Sequence, residues 1–255
     1  MGWMKIVELS KPLGAEIAII GFPGVANVGE QVITYLVREK NAIPIVRIYS
    51  EHLVFPNNMV GISVTEDGKF LLPSVSIFQL RDPPLLLVTS DVQPLAWGAM
   101  EIANEIMRIL SNLGVKRIIV ITGFVEESAA GKVIAFGTDN ELLDLFLRAN
   151  AVKEDLIKVV VGLAGSVLGM AKIRGIKSLV LSGVSPDYSP DPRAAKSVLL
   201  SLDAVFSLGL DFESLDRQIE EIDKIKSEIL KEIERRLREE QGFQGEEVGS
   251  AEYVG

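Results

Sequence analysis

The residues nearest to chemistry in this sequence are Ile19-Ile20-Gly21-Phe22-Pro23-Gly24-Val25-Ala26-Asn27-Val28-Gly29, where an apolar run enters a glycine-punctuated turn ahead of a helical pattern. Such a strand-turn-helix junction can hold an anion, because the free amides at a helix N-terminus point at it. The spacing departs from both strong phosphate motifs. Gly29 is followed by Glu30 and Gln31 rather than Lys and Ser or Thr, and Gly21 and Gly24 are three apart rather than two. Glu30 would also repel a phosphate. The segment therefore reads as a structural turn whose glycines let a helix approach the sheet.

Ser166, in Gly162-Leu163-Ala164-Gly165-Ser166-Val167-Leu168-Gly169, superficially suggests a nucleophile on a turn, but the G-x-S-x-G spacing is missing. Any Ser-His-acid triad would have to use His52, the single histidine, and no spacing links it to Ser166. Ser166 reads as a cap or small packing residue. The acidic pairs Glu126-Glu127 and Asp187 with Asp191 could share a proton or a divalent ion, yet neighbouring surface carboxylates are the commoner case. No cysteine is present, which removes disulfides, thiolate metal sites and thiol nucleophiles and suits a reducing compartment. No catalytic residue, cofactor site or metal site is expected.

The elements that must position these residues follow from hydropathy. With 255 residues and 48% hydrophobic side chains, the chain can bury a substantial core. Short apolar runs alternate with amphipathic segments, as in strands joined by crossover helices. Strands are expected over 16–20, 45–49, 85–89, 117–122, 156–161 and 177–181, and helices over 28–40, 94–113, 140–149, 165–174 and 192–209. Asn27 is the expected N-cap of the first helix and Gly114 the stop of the second. Residues 59–72 read as a hairpin with Asp67-Gly68 at its turn, which makes the sheet mixed.

From Phe212 the period changes. Leu215, Ile219, Ile222, Ile225, Ile229, Ile233 and Leu237 recur every three or four residues among Glu, Lys and Arg. A helix over 213–240 would be roughly 40 Å long at ~1.5 Å per residue, and its apolar stripe needs a covering surface. That surface is either the chain's own body or another subunit, in a coiled-coil-like contact. Residues 241–255 lose all periodicity and read as a flexible acidic, Gly-rich tail. The expected organisation is thus an α/β body over 1–212, a charged amphipathic helix over 213–240, and the tail.

Net charge is −9, and residues 213–255 carry 13 acids against 7 bases, so most of the excess lies at this end. An acidic chain without a basic face does not suit nucleic acid. No secretory signal is visible, and the apolar stretch 159–171 falls short of the roughly 18 residues a membrane span needs, so a cytoplasmic protein with no membrane contact is expected.

Three separated segments together resemble the PAC2 family, the proteasome assembly chaperone family, in its archaeal form. They are Gly21-Phe22-Pro23-Gly24-Val25-Ala26-Asn27-Val28-Gly29, Ile121-Thr122-Gly123-Phe124, and Asp191-Pro192-Arg193-Ala194-Ala195 with the Leu-rich helix that follows. The resemblance implies a three-layer α/β body with a mostly parallel mixed sheet, similar to nucleoside phosphorylases, and no enzymatic role. It also implies oligomers that assist or contact the 20S proteasome, its α subunits or another assembly factor. Family members can end in a hydrophobic-Tyr-any residue motif that docks between proteasome α subunits. Here Tyr253, Val254 and Gly255 stand at that end, with Tyr253 third from last and Glu252 before it. Leu215, Ile219, Ile222, Ile229 and Ile233 are the expected oligomer or partner face. Two further readings remain open: a scaffold for a non-proteasomal client, and a nucleoside- or phosphate-binding enzyme using the amides around Gly24 to Gly29 at the carboxyl end of the sheet.

Overall fold

A computed structural model describes residues 2–245; Tyr253, Val254 and Gly255 lie outside the described residues. The chain separates into two compact units, Met1–Asp211 and Phe212–Gly255. In order, the first unit contains β1 (Met4–Glu8), β2 (Ile17–Gly21), α1 (Val28–Glu39), β3 (Ile43–Ser50), β4 (Ser63–Val64), β5 (Phe70–Leu71), β6 (Val75–Leu80) and β7 (Leu85–Ser90). It continues with α2 (Ala99–Asn112), β8 (Arg117–Val125), β9 (Val133–Gly137), α3 (Asn140–Arg148), α4 (Gly162–Ile173), β10 (Lys177–Ser185) and α5 (Pro192–Phe206). The second unit is α6 (Glu213–Gly245).

Eight strands form one sheet in the order β1-β3-β6-β7-β2-β8-β10-β9. β7, β2, β8 and β10 are parallel neighbours, and β3 reaches the same direction through antiparallel β6. Five strands thus run one way, and β1, β6 and β9 oppose them. The central strands are buried on both faces, which is why β2 (IAIIG) and β7 (LLLVTS) read as continuous apolar runs. Alternate residues serve opposite layers. Ala18, Ile20, Val88, Ile118 and Val120 share a core with Ile102 and Ile106 of α2 and Leu163 and Val167 of α4. Ile19, Leu87, Ile119 and Leu179 are equally buried on the other face, where α1 and α5 lie against each other and on β2 and β10. This is the expected three-layer α/β body.

Local chemistry sets most boundaries. Asp191 caps α5 by accepting from the amides of Arg193 (2.9 Å) and Ala194 (3.2 Å), with Pro192 in the first turn. Asp139 caps α3 through the Leu142 amide at 3.2 Å. Gly114 follows α2 at φ 89°, the left-handed conformation a helix stop uses. Ser207, also left-handed at φ 53°, ends α5 at Phe206, short of the expected Gly209.

Several expectations are corrected. Leu156–Val161 enters no sheet despite its β-branched run; β8 already has β2 and β10 as neighbours, and the segment leads directly into α4. β1, β6 and β9 are strands that the apolar pattern did not single out. Asn27 precedes α1, but at φ 52° its side chain makes no capping hydrogen bond. The hairpin forms as a separate two-stranded sheet of β4 and β5, and only Gly68 of the Asp67-Gly68 pair has positive φ. α2 starts at Ala99 rather than Pro94, and α4 at Gly162 rather than Gly165.

Within the second unit, Glu213–Arg217 (2.7 Å) and Glu232–Arg236 (3.0 Å) bridge adjacent turns of α6. Such i,i+4 pairs contribute about 0.3–0.5 kcal/mol each. Leu215 is buried, Ile219 and Ile222 are half-buried, and Ile229 and Ile233 are exposed.

Candidate functional site

The tertiary structure gathers the three family-like segments into one place at the carboxyl ends of β2 and β8. β2 ends at Gly21 and β8 passes through Gly123, while the loop between β2 and α1 threads between them. A Cβ on Gly21 would run into the Gly29 carbonyl, and one on Gly123 into the Val25 carbonyl. A Cβ on Gly29 would stand 2.8 Å from both the Ile121 and the Phe22 carbonyl oxygens. These glycines exist so that backbone can touch backbone. The third segment closes the arrangement, because the Asp191 amide donates to the Ala26 carbonyl at 2.9 Å. That carbonyl also accepts from the Gln31 side-chain amide at 3.2 Å. Ala26 and Asn27 are left-handed at φ 48° and 52°, so the loop is held in a conformation that non-glycine residues rarely adopt. The structural-turn reading of Gly21 to Gly29 therefore has a specific cause.

Beside this loop lies a cavity of about 510 Å³, within the size range of ligand sites. Its walls are Phe22 and Pro23 from the loop, Phe124 from β8, Val159 and Val161 from the segment before α4, and Tyr188 after β10. No charged side chain lines it; the polar groups are Gln93, Thr122, Tyr188 and backbone. Gln93 is already committed, since its Nε2 donates to the Pro23 carbonyl and its Oε1 accepts from the Leu163 amide at 3.2 Å. It ties the loop to the start of α4. A second concavity of about 600 Å³ continues from Pro23, Gly24 and Gln93 towards Phe55, Pro56 and Trp97. Sequence reasoning missed Gln93, Tyr188 and Trp97. Gln93 is 70 residues from each of its partners, so no local spacing could have marked it.

Apart from Thr122 and Tyr188 on the cavity wall, the candidate acid–base and nucleophilic residues read from the sequence are placed elsewhere or otherwise engaged. Ser166 Oγ donates to the Gly162 carbonyl one turn back in α4, at 3.1 Å. His52 Nε2 faces Glu101 (3.5 Å) and Glu51 (4.0 Å). The serine and the histidine are thus not brought together as a nucleophile and its base. Glu126 accepts from the amide and hydroxyl of Ser128, Asp187 accepts from the Ser189 amide, and Asp191 caps α5. Among the described residues no group of three His, Cys, Asp or Glu could hold a metal ion. A well-formed charge cluster does exist, at the opposite end of β8. Arg117 grips Asp139 through Nε–Oδ2 (2.5 Å) and Nη2–Oδ1 (2.6 Å) and reaches Glu141 at 2.7 Å. The Asp139 side chain is fully buried. The Arg117 guanidinium holds its carboxyl below the usual range, burial opposes this, and the Leu142 amide assists. Remote from the cavity, this pair fastens α3 to the sheet.

No described helix is long and apolar enough to cross a membrane. The sequence model of the PAC2 family matches residues 18–230. The fold is similar to that of PbaB of Pyrococcus furiosus, an archaeal proteasome activator, with a TM-score of 0.80 and 26% identity over 90% of this chain and 99% of that one. PbaA of the same organism, an archaeal homolog of proteasome-assembly chaperone, shares the fold at a TM-score of 0.74 and 22% identity, over 96% of this chain and 99% of that one. An uncharacterized protein of Methanocaldococcus jannaschii is 28% identical over 238 residues, 87% of this chain and 88% of its own length. Residues 18–230 contain all three segments on which the resemblance was read.

Proposed function

This chain belongs to the PAC2 family, and from that premise we propose that it is a non-enzymatic proteasome assembly chaperone or adaptor that binds 20S proteasome α subunits. The observation that carries the reading is the likeness to PbaB, an archaeal proteasome activator, across nearly the whole of both chains. The site supports it from the chemical side. A cavity walled mostly by apolar groups and backbone, with no charged side chain, suits recognition of apolar surface. No Lys, Arg or His stands on the cavity wall to pair with a phosphate ester. Leu215, Ile219, Ile222, Ile229 and Ile233 of α6 are the proposed oligomer or partner face, and Tyr253, Val254 and Gly255 the proposed docking end.

Capture of archaeal 20S proteasome and of its free α subunits by the full chain, beside a chain ending at Gln241, tests the reading. The full chain is expected to retain α subunits. Loss on truncation assigns the contact to the tail; equal capture assigns it to the body or α6. Capture by neither chain overturns the proteasome reading.

A further inference from the structure

Opposite walls of the cavity beside the β2–α1 loop are braced by side chains from distant parts of the sequence. Gln93 holds the Pro23 carbonyl on one side and the Leu163 amide on the other, while the Ala26 carbonyl is fixed by the Asp191 amide and Gln31. A space held in this way is preformed, so an occupant need not order a loop to enter it. Thr122 and Tyr188 bring hydroxyl groups to the wall, and neither hydroxyl makes a hydrogen bond among the described residues. Beside Thr122, on the same face of the sheet, lies its partner in register on β10, Ser182, fully buried and with its Oγ unpartnered. Buried polar groups without partners are uncommon in a folded chain and ask for an explanation.

We propose that this cavity is a binding site for a small uncharged ring compound with an apolar body and one oxygen substituent. Size selects a small molecule over a protein anchor. A volume of about 510 Å³ corresponds to roughly 17 water-sized groups at ~30 Å³ each. A single phenyl anchor from a partner protein would leave more than half of that space unfilled, and a wall without neighbours forfeits its dispersion contacts. Charge selects an uncharged ligand. No charged side chain lines the cavity, so a carboxylate or phosphate taken into it would lose water with no cation opposite to replace it. Wall chemistry selects a ring. Phe22, Phe124 and Tyr188 offer aromatic surface, which favours stacked or edge-on contact with a second ring. The oxygen substituent follows from the uncommitted hydroxyls of Thr122 and Tyr188, each of which can donate to it or accept from it. A few placed polar groups in a mostly apolar cleft are what give a small-molecule site its selectivity. The inference stands whether or not the chain binds α subunits.

Three probes that share one ring system test it: naphthol carries an uncharged hydroxyl, naphthoate a charged carboxylate, and naphthalene neither. In equilibrium dialysis against the full chain, naphthol is expected to saturate at one per chain, with naphthoate and naphthalene each bound several-fold more weakly. Thr122→Val keeps the side-chain shape and removes the hydroxyl, and Tyr188→Phe does the same at the mouth. One of the two is expected to weaken naphthol by about three- to tenfold, the effect of a single hydrogen bond, and to leave naphthalene unchanged. Val159→Asp with Val161→Asp, both at exposed positions of the wall, is expected to weaken naphthol by about tenfold or more through lost apolar contact while Tm is retained. Absence of saturable naphthol binding up to roughly 1 mM overturns the proposal. So does unchanged binding by the double Asp variant, which places the probe elsewhere, or naphthoate bound as tightly as naphthol. Equal binding of naphthol and naphthalene with no effect of either hydroxyl variant also overturns it, by making the cavity an apolar crevice without recognition. Loss of α-subunit capture by the double Asp variant in a chain that binds no probe assigns the cavity to the protein client instead.

Discussion

Gly29→Ala should destabilise the body by about 1–2 kcal/mol, against the normal benefit of alanine in a helix. Gly29 is the second residue of α1, where replacing glycine with alanine ordinarily stabilises by about 0.5–1 kcal/mol. Its new Cβ, however, would stand 2.8 Å from the Ile121 carbonyl oxygen, 2.8 Å from the Phe22 carbonyl oxygen and 2.9 Å from the Phe22 nitrogen. All three are backbone atoms, so no side chain can rotate away, and restoring ordinary contact near 3.4 Å requires β8 and the β2–α1 loop to part by roughly half an ångström. Forced packing of this kind costs about 1–3 kcal/mol. The displaced loop also carries the Ala26 carbonyl, which receives the Asp191 and Gln31 donors. Weakening either of those adds up to about 1 kcal/mol. For a body of this size the net loss lowers Tm by roughly 2–8 °C. Differential scanning fluorimetry at fixed protein concentration reads it, with Gly169→Ala as the internal control. Gly169 also lies in a helix, but its Cβ would meet nothing within 4 Å, so there the helical benefit stands alone and Tm should rise by a few degrees. A Gly29→Ala protein as stable as native, or one that tracks Gly169→Ala, refutes the claim that these glycines exist for backbone contact.

Arg117→Leu leaves the fully buried Asp139 carboxylate without its counter-ion and should cost about 3–5 kcal/mol near neutral pH, measured by urea unfolding. In the native protein Asp139 titrates below its unfolded value, so its contribution is fully present above about pH 4 and is lost as pH falls through the lower folded value. In Arg117→Leu, burial without the cation raises the same carboxyl, and the gap between the two proteins should narrow as pH is lowered. A gap that widens on acidification contradicts the assignment. Replacing Ile222 and Ile229 of α6 by Asp should lower the mass seen by light scattering if this stripe joins subunits, and an unchanged mass for a folded double variant removes that role from the helix.

What the sequence determines by itself here is local. Continuous apolar runs gave β2, β7 and the start of β8, since strands buried on both faces leave no polar residue to alternate with. Amphipathic period gave α1, α3 and α5, and Gly114 marked the end of α2 because a left-handed stop acts within one turn of chain. Three short segments sufficed to mark the family, and the unusual Gly-Phe-Pro-Gly turn remained legible because backbone contact tolerates so few residue types. The tertiary structure alone decided which runs pair and what meets what. Val159, Val160 and Val161 have the residues of a strand yet join no sheet, because a strand needs an open edge to pair with and the neighbouring central strands are already paired on both sides. Conversely, β1, β6 and β9 are strands through the partners they find at the margins of the sheet. The candidate site divides in the same way. Its glycines were visible as residues, but their purpose lies in carbonyls from Val25 and Ile121, and Gln93 acts on Pro23 and Leu163 across 70 residues in each direction. Pattern along a chain records the environment of each residue; only folding in three dimensions chooses the neighbours that supply it.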